Sequence, residues 1–445
     1  MQKPPAIGFV ALGCAKANVD AERLLSALRA AGYRFVDRPE QADCVIVNTC
    51  GFIEEAVEES CAAIEEALRG CEHVIVTGCL GARAEALRKR FPQLAAITRA
   101  EDFAATLQAV ARIAPPPQAL DCAPEPVRRL RLSPRHWAWL KIAEGCNHDC
   151  SFCIIPQLRG ALRSRPMDAI VEEARALVAS GAKEVLLIAQ DLAAYGMDLG
   201  HRTAFVSGRP MRTDILSLID ALSFVPWLRL HYLYPYPVVD AIVDRMAEGR
   251  LLPYLDLPLQ HASASVLRRM RRPVAASGDA MLARIERWRK KVPNLVIRST
   301  FIVGFPGETD EDFEALLEFL RAARLDRVGA FVYSPIEGAA ANALDDPVPA
   351  ELAHERLQAL MQLQEEISRQ KLAQRVGRRE RVLVDQRLDA ETAIGRSAAE
   401  APEVDGVIAI DDGGALQPGD WAEVEIVDAD AHDLAARLVR KWEEG

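Results

Sequence analysis

Three cysteines stand close together at Cys146, Cys150 and Cys153, inside the run Cys146-Asn147-His148-Asp149-Cys150-Ser151-Phe152-Cys153. Thiolates in this C-x3-C-x2-C spacing can wrap one corner of an iron–sulfur cubane, binding three of its four irons. The remaining iron is open to a small molecule and can pass it an electron. Two other readings stay open at this point. One is zinc held by the three thiols with His148. Structural zinc sites favour a distant second cysteine pair, which is missing here, and His148 lies inside the loop, poorly placed to close a tetrahedron. The other is three thiols with no shared role.

Cys14, Cys50 and Cys79 form a second trio, 36 and 29 residues apart. They qualify because each closes the same local unit, an apolar run followed by Gly or Asn and then Cys. Metal binding and simple burial near strand ends are both open for them. Cys44, Cys61, Cys71 and Cys122 lack the pattern and read as packing residues.

The elements that must position these groups are legible as hydrophobic runs. Residues 7–12, 44–47 and 74–76 are short, β-branched runs, each ending at a cysteine of the second trio. Helical patterns follow the first two. Steps of this length make βαβ units, which bring strand carboxyl ends to one sheet edge, where open α/β sheets bind ligands. A Pro-rich stretch follows, Pro115-Pro116-Pro117 with Pro124 and Pro126, and reads as a linker. Six further apolar runs, at 139–143, 185–189, 228–233, 254–257, 295–303 and 328–333, alternate with helical patterns. These predict a (β/α)6 partial TIM barrel, with the cysteine loop after its first strand, at the carboxyl end. A polar helix over 349–376 then leads to short alternating runs separated by turn signals, which predict a small antiparallel β-barrel. The fold class is therefore α/β with an all-β tail.

Composition bounds the function. A chain of 445 residues, half of them apolar and 27% charged, is neither disordered nor fibrous and allows about three domains. No run of 18 apolar residues exists, so no transmembrane span is expected. The first residues do not read as a secretory signal. The Ala-Leu-Gly-Cys sequence ending at Cys14 faintly resembles a lipoprotein cleavage site, but its apolar region is too short. The expected location is the cytoplasm, where cysteines serve as ligands, catalytic thiols or core residues. Residues 377–445 carry 8 Lys+Arg against 17 Asp+Glu, so −9 of the net −10 sits in the tail. Such a surface repels phosphate backbones and attracts basic partners. A solvated, solubilising tail is the plainer alternative.

The cysteine run, with an aromatic before its last Cys, resembles the radical S-adenosylmethionine (SAM) superfamily. From Gly8 to about Arg440 the chain resembles the methylthiotransferases. The resemblance implies an N-terminal domain (5–115), a radical SAM core (132–370) and a TRAM domain, an OB-like barrel (373–441). One branch of that family modifies adenosine in tRNA. The other, of RimO type, modifies the β-carbon of an aspartate in small-subunit ribosomal protein S-twelve. Leu12-Gly13-Cys14-Ala15-Lys16, Asn48-Thr49-Cys50-Gly51-Phe52-Ile53 and Thr77-Gly78-Cys79-Leu80-Gly81-Ala82 are similar to the second branch. Ala17 departs from its usual Asn and is not a cluster ligand. The acidic tail favours the same branch, since a TRAM domain that binds tRNA needs basic residues at its contact surface.

The resemblance implies two 4Fe–4S clusters and SAM as cofactors. Cys146, Cys150 and Cys153 would hold the cluster that binds SAM, and Cys14, Cys50 and Cys79 an auxiliary one. A C–H bond too weakly acidic for any side-chain base requires cofactor-borne radical chemistry, hence a one-electron reductant as partner. Phe152 is the candidate for the SAM adenine, and Arg163 and Arg165 for a carboxylate of SAM or target. Gln190 and Gln260, with Asp191 and His261, end strands near the site. Gly304 and Glu308 lie in a turn that would let backbone approach SAM. Each has a plainer reading as a core or surface residue. The basic clusters Arg128-Arg129-Leu130-Arg131 and residues 268–272 read either as faces for ribosomal RNA or as surfaces paired with local acids. The alternatives are the tRNA-modifying branch and a metal carrier without enzymatic activity.

Overall fold

The computed structural model describes residues 3–118, 129–272 and 277–442. Cys122, Pro124, Pro126, Arg128 and the interval 273–276 lie outside the described residues.

The N-terminal unit is a five-stranded, all-parallel sheet. Its three central strands, Ala6–Ala11, Cys44–Thr49 and Val74–Gly78, are the expected ones. Their near-continuous apolar runs are buried on both faces, under the helices Ala15–Ala30 and Phe103–Ile113 on one side and Glu54–Gly70 on the other. Two edge strands, Arg34–Val36 and Ala96–Ile97, are too short to leave a periodic signal.

The six predicted barrel strands are present as Trp137–Lys141, Glu184–Ile188, Trp227–Leu230, Tyr254–Asp256, Val296–Val303 and Arg327–Val332. Strands pair in parallel as two three-stranded sheets, which meet between Trp227–Leu230 and Tyr254–Asp256. One strand face packs on helices such as Met167–Ala179 and Asp310–Ala323 in a single large apolar core. The inner face carries aromatic and charged residues instead, including Trp139, Glu184, Arg229, His231 and Asp256. The ring is open, and neighbouring parts of the chain fill it. Val19 of the helix Ala15–Ala30 packs on Trp137, Trp139, Leu186 and Ile188.

The long helix Ala350–Ala373 covers the edge strand Arg327–Val332 and leads into a closed five-stranded barrel. Four of its strands, Arg379–Arg387, Ile408–Asp411, Trp421–Ala429 and Leu434–Trp442, match alternating runs of the tail. The fifth, Ala393–Arg396, does not, and the seam of Ile408–Asp411 with Leu434–Trp442 is parallel where an antiparallel barrel is expected. This barrel docks at the starts of the (β/α) strands. Arg396 bridges Glu184 at 2.7 Å and Asp385, Trp227 meets Trp421 edge-to-face, and His136 bonds Asp385. The acidic tail therefore stands at the opposite end of the strands from the Cys146–Cys153 loop. Among the described residues, no helix is long and apolar enough to cross a membrane.

Candidate functional site

The loop 145–153 leaves the first (β/α) strand through Gly145, at φ +76°. A side-chain carbon there would lie 2.1 Å from the Ala161 carbonyl oxygen, so only glycine allows this exit. The loop is then tied down from several sides. The Cys146 N–H donates to Gly160 O, the Ser151 hydroxyl to Arg269 O at 2.7 Å, and the Leu162 N–H to the Asn147 side chain. Its sulfurs accept as thiolate ligands would: from the His148 N–H at 3.4 Å onto Cys146, from the Ile155 N–H at 3.5 Å onto Cys153, and from Arg272 onto Cys150. Burial pushes the Cys146 thiol up to about 11 and the Cys153 thiol up to about 12. A bound metal would displace those protons.

His148 does not turn toward the thiols as a fourth ligand. Its ring stacks on Tyr234, with centroids 4.0 Å apart, and its Nε2 meets Asp191 and the Tyr236 hydroxyl, each at 2.9 Å. Among the described residues, no three His, Cys, Asp or Glu side chains converge on a point suited to a single ion. A cubane does not need such a point, because each thiolate binds a different iron corner.

Cys14, Cys50 and Cys79 meet at the carboxyl edge of the N-terminal sheet. A side-chain carbon built at Gly13 would lie 3.8 Å from the Cys50 sulfur. Cys14 caps the helix Ala15–Ala30, keeping surface open to solvent while protein surrounds it on most sides. Burial alone would raise its thiol, but the Lys16 ammonium, the Ala17 N–H and Arg159 outweigh it and hold it below the ordinary value. Burial wins at Cys50 and Cys79, which are pushed up.

Arg159 joins the two cysteine sets. It ends the short helix Ile155–Arg159, which begins just after Cys153, and is 2% exposed. Its Nε donates to the Cys79 sulfur at 3.1 Å, and its Nη1 to Asp20 at 2.7 Å and Glu144 at 3.0 Å. Lys141 closes the network by bridging Asp20 and Glu144. Burial would raise the Glu144 carboxyl, but Lys141 and Arg159 hold it well below the carboxylate range. The loop after the third (β/α) strand makes a second link. Tyr232 lies under Lys16, beside Cys14, while Tyr234 lies under His148, beside Cys146.

The predicted cofactor contacts scatter. Gln190 sits by the loop, its amide donating to Glu144 while its buried Oε1 has no partner among the described residues, as a ligand-facing acceptor would. Gln260 holds a strained φ of +72° at a strand end. Phe152 packs with Val266, Met270 and Phe305. At Gly304 a side-chain carbon would lie 2.5 Å from Ala353 Cβ, so the close approach there is to the helix Ala350–Ala373. The Glu308 carboxylate is engaged by Arg356 at 2.9 Å and the Phe305 N–H, with the His261 ring 3.6 Å away. Arg163 and Arg165 line a cleft of about 300 Å³ between the N-terminal sheet and the barrel, which they share with Asp20, Lys141 and Glu144, and Arg165 pairs with Glu173. Arg129 is buried against Glu22 and Glu173, clipping the helix Ala15–Ala30 to the barrel. Arg269 and Arg272 brace the cysteine loop, and Arg271 lies 3.5 Å from Asp149.

Sequence reasoning missed Lys16, Arg159, Arg272 and the three tyrosines. The tyrosines left a signal: Tyr232, Tyr234 and Tyr236 alternate just past a strand end.

Family models match three stretches: the radical SAM superfamily over residues 140–320, the uncharacterized protein family UPF0004 over 6–98, and the TRAM domain over 376–439. The ribosomal protein uS12 methylthiotransferase RimO of Nitrosomonas eutropha is 53% identical over 431 residues, covering 97% of this chain and 96% of the relative. That of Methylococcus capsulatus is 54% identical over 437 residues, covering 98% and 99%. Among solved structures, the radical SAM methyltransferase TsrM from Kitasatospora setae, with cobalamin and a 4Fe–4S cluster bound, superposes with a TM-score of 0.55 at 16% identity. That match covers 75% of this chain and 77% of TsrM. A second TsrM structure, with tryptophan and a SAM analog, gives 0.56 at 15% identity, over 82% and 89%. At these identities TsrM bears on the fold alone.

Proposed function

Because the chain belongs to the RimO family of radical SAM methylthiotransferases, we propose that it adds a methylthio group to the β-carbon of an aspartate in small-subunit ribosomal protein S-twelve. The observation that carries this reading is the near full-length identity to RimO relatives, joined to two cysteine trios linked through Arg159.

The residues present fit two 4Fe–4S clusters. Cys146, Cys150 and Cys153 would hold the SAM-binding one, and Cys14, Cys50 and Cys79 the auxiliary one. When bound, SAM and the clusters supply the radical and the sulfur. The chain's own residues do the rest. Backbone amides and Arg272 satisfy the sulfurs of the loop, Gln190 Oε1 is left to accept from a ligand, and the Asp20–Lys141–Glu144–Arg159 network fixes one trio against the other. The remaining candidates for cofactor contact, Phe152, Gln260, Gly304, Glu308, Arg163 and Arg165, are part of this proposal and rest on the resemblance. The units are assigned as 5–115, 132–370 and 373–441.

The tail sits away from the cysteine loop, so its charge acts as a field drawing in a lysine- and arginine-rich substrate rather than as a contact at the reacting carbon. It disfavours tRNA. The enzyme is assigned to the cytoplasm and needs a one-electron donor. The test is an anaerobic assay of ribosomal protein S-twelve and tRNA side by side, read by mass. Gain of one methylthio group on the protein is expected. Modification of tRNA adenosine instead overturns the assignment.

A further inference from the structure

Among the described residues Lys16 is the ammonium beside Cys14, whose thiol its charge lowers, and no carboxylate bonds it. It lies two positions after Cys14, in the first turn of the helix Ala15–Ala30, and its Nζ stands 3.4 Å above the centre of the Tyr232 ring. The acids around it are engaged elsewhere: Asp20 with Lys141 and Arg159, and Asp256 with His231 and Arg298. Protein surrounds the ammonium, yet it keeps some solvent-accessible surface. An aromatic face offsets only part of what a cation loses on leaving water, so such a group is poised for an anion.

The platform beneath it is itself strained. Tyr232 adopts φ +62°, rare for a bulky residue, and is held there by Asp256 accepting from its N–H at 3.3 Å and Leu192 donating to its carbonyl at 3.1 Å. Strain of this kind persists where the surroundings over-determine it, and it collects at ligand clamps.

We propose that the Lys16 ammonium binds the side-chain carboxylate of the target aspartate, and that this contact selects aspartate over asparagine. The inference rests on the aspartate-modifying function above. Its chemistry is direct: the carbon to be modified is bonded to the carboxylate carbon, so a cation that fixes the carboxylate also fixes that carbon. The location separates this carboxylate from that of SAM. Lys16 lies on the Cys14 side of the Tyr232–Tyr234 loop, whereas the SAM-binding trio lies on the His148 side. A neutral carboxamide offers no charge to match the ammonium, and a hydrogen bond between charged partners exceeds a neutral one.

The test uses the anaerobically reconstituted enzyme and two probes: ribosomal protein S-twelve, and the same protein with asparagine at the target position. Dissociation constants are measured under non-reducing conditions with SAM present. The wild-type enzyme is expected to bind the aspartate protein about tenfold or more tighter than the asparagine protein. Lys16→Met and Lys16→Gln are expected to erase that difference by weakening the aspartate protein only, with iron content retained. Full discrimination in both variants overturns the proposal. So does a variant that still discriminates but loses the spectral change of the auxiliary cluster on adding sulfide, since the ammonium then serves the sulfur. A wild-type enzyme that ignores both proteins and modifies tRNA overturns the function and this inference together. One that modifies the aspartate protein while the variants still discriminate overturns this inference alone.

Discussion

Replacing Arg159 with Met tests whether the two cysteine trios are held by one buried charge network. The change removes the bond to the Cys79 sulfur and both ion pairs, to Asp20 and Glu144. Lys141 still bridges the two enclosed carboxylates, with one positive charge fewer facing them. Orphaning one partner of a buried pair costs about 3–5 kcal/mol. The penalty falls on the seam between sheet and barrel, so it is read as local opening rather than global unfolding, which is not two-state in a chain of several domains. At about 1.4 kcal/mol per tenfold, amide exchange across the helix Ala15–Ala30 should quicken roughly a hundredfold to a few thousandfold. Hydrogen–deuterium exchange read by mass measures this. The auxiliary cluster's EPR spectrum should change as well, because a charged donor to its Cys79 ligand is gone. Adding Glu144→Gln should recover part of the protection by neutralising a stranded carboxylate. Unchanged exchange in Arg159→Met, or a double variant no better than the single, would refute the network argument.

Other outcomes follow from the same geometry. Cys146→Ala should abolish cleavage of SAM to 5′-deoxyadenosine, and Cys50→Ser should retain it while stopping sulfur insertion; chromatographic product analysis separates the two. Gly145→Ala drives a side-chain carbon into the Ala161 carbonyl oxygen and should lower bound iron well below the roughly eight atoms per chain that two cubanes require. The docked C-terminal barrel should be acid-labile. Burial would raise Glu400, but Arg375 and Arg327 with Ser397 hold it at about 2, against an ordinary 4.5. A depressed carboxyl stabilises fully above its unfolded value, so about 3 kcal/mol present at neutral pH should be lost as pH falls from about 4.5 toward 2. Glu400→Gln should flatten that part of a stability–pH profile, and an unchanged profile would exclude Glu400 as its source.

What the sequence discloses and what it hides divide along a physical line. Strands buried on both faces must be near-continuous apolar runs, so the three central strands of the N-terminal sheet are legible, and the six (β/α) strands are legible from the apolar face each turns to the helices. Edge strands such as Ala96–Ile97 escape because two residues cannot display a period. The cysteines are legible because a cluster ligand must recur at a fixed place in its unit. The groups that position them follow no such rule. Arg159 is one arginine among many until the fold carries it to Cys79, 80 residues away in sequence. Arg163 attracts attention by lying near the cysteine run, and only the fold shows it sharing a cleft with Asp20, Lys141 and Glu144. Gly304 looks like a cofactor-facing glycine, but its nearest obstacle is Ala353. Lys16 stands inside a cysteine motif, and that no carboxylate among the described residues bonds it emerges only when Asp20 and Asp256 are seen bonded to other cations. Sequence therefore marks what binds the metal, because ligation imposes a pattern along the chain. The charges that orient a substrate against the metal are set by which neighbours are already paired, and pairing is a property of the folded chain alone.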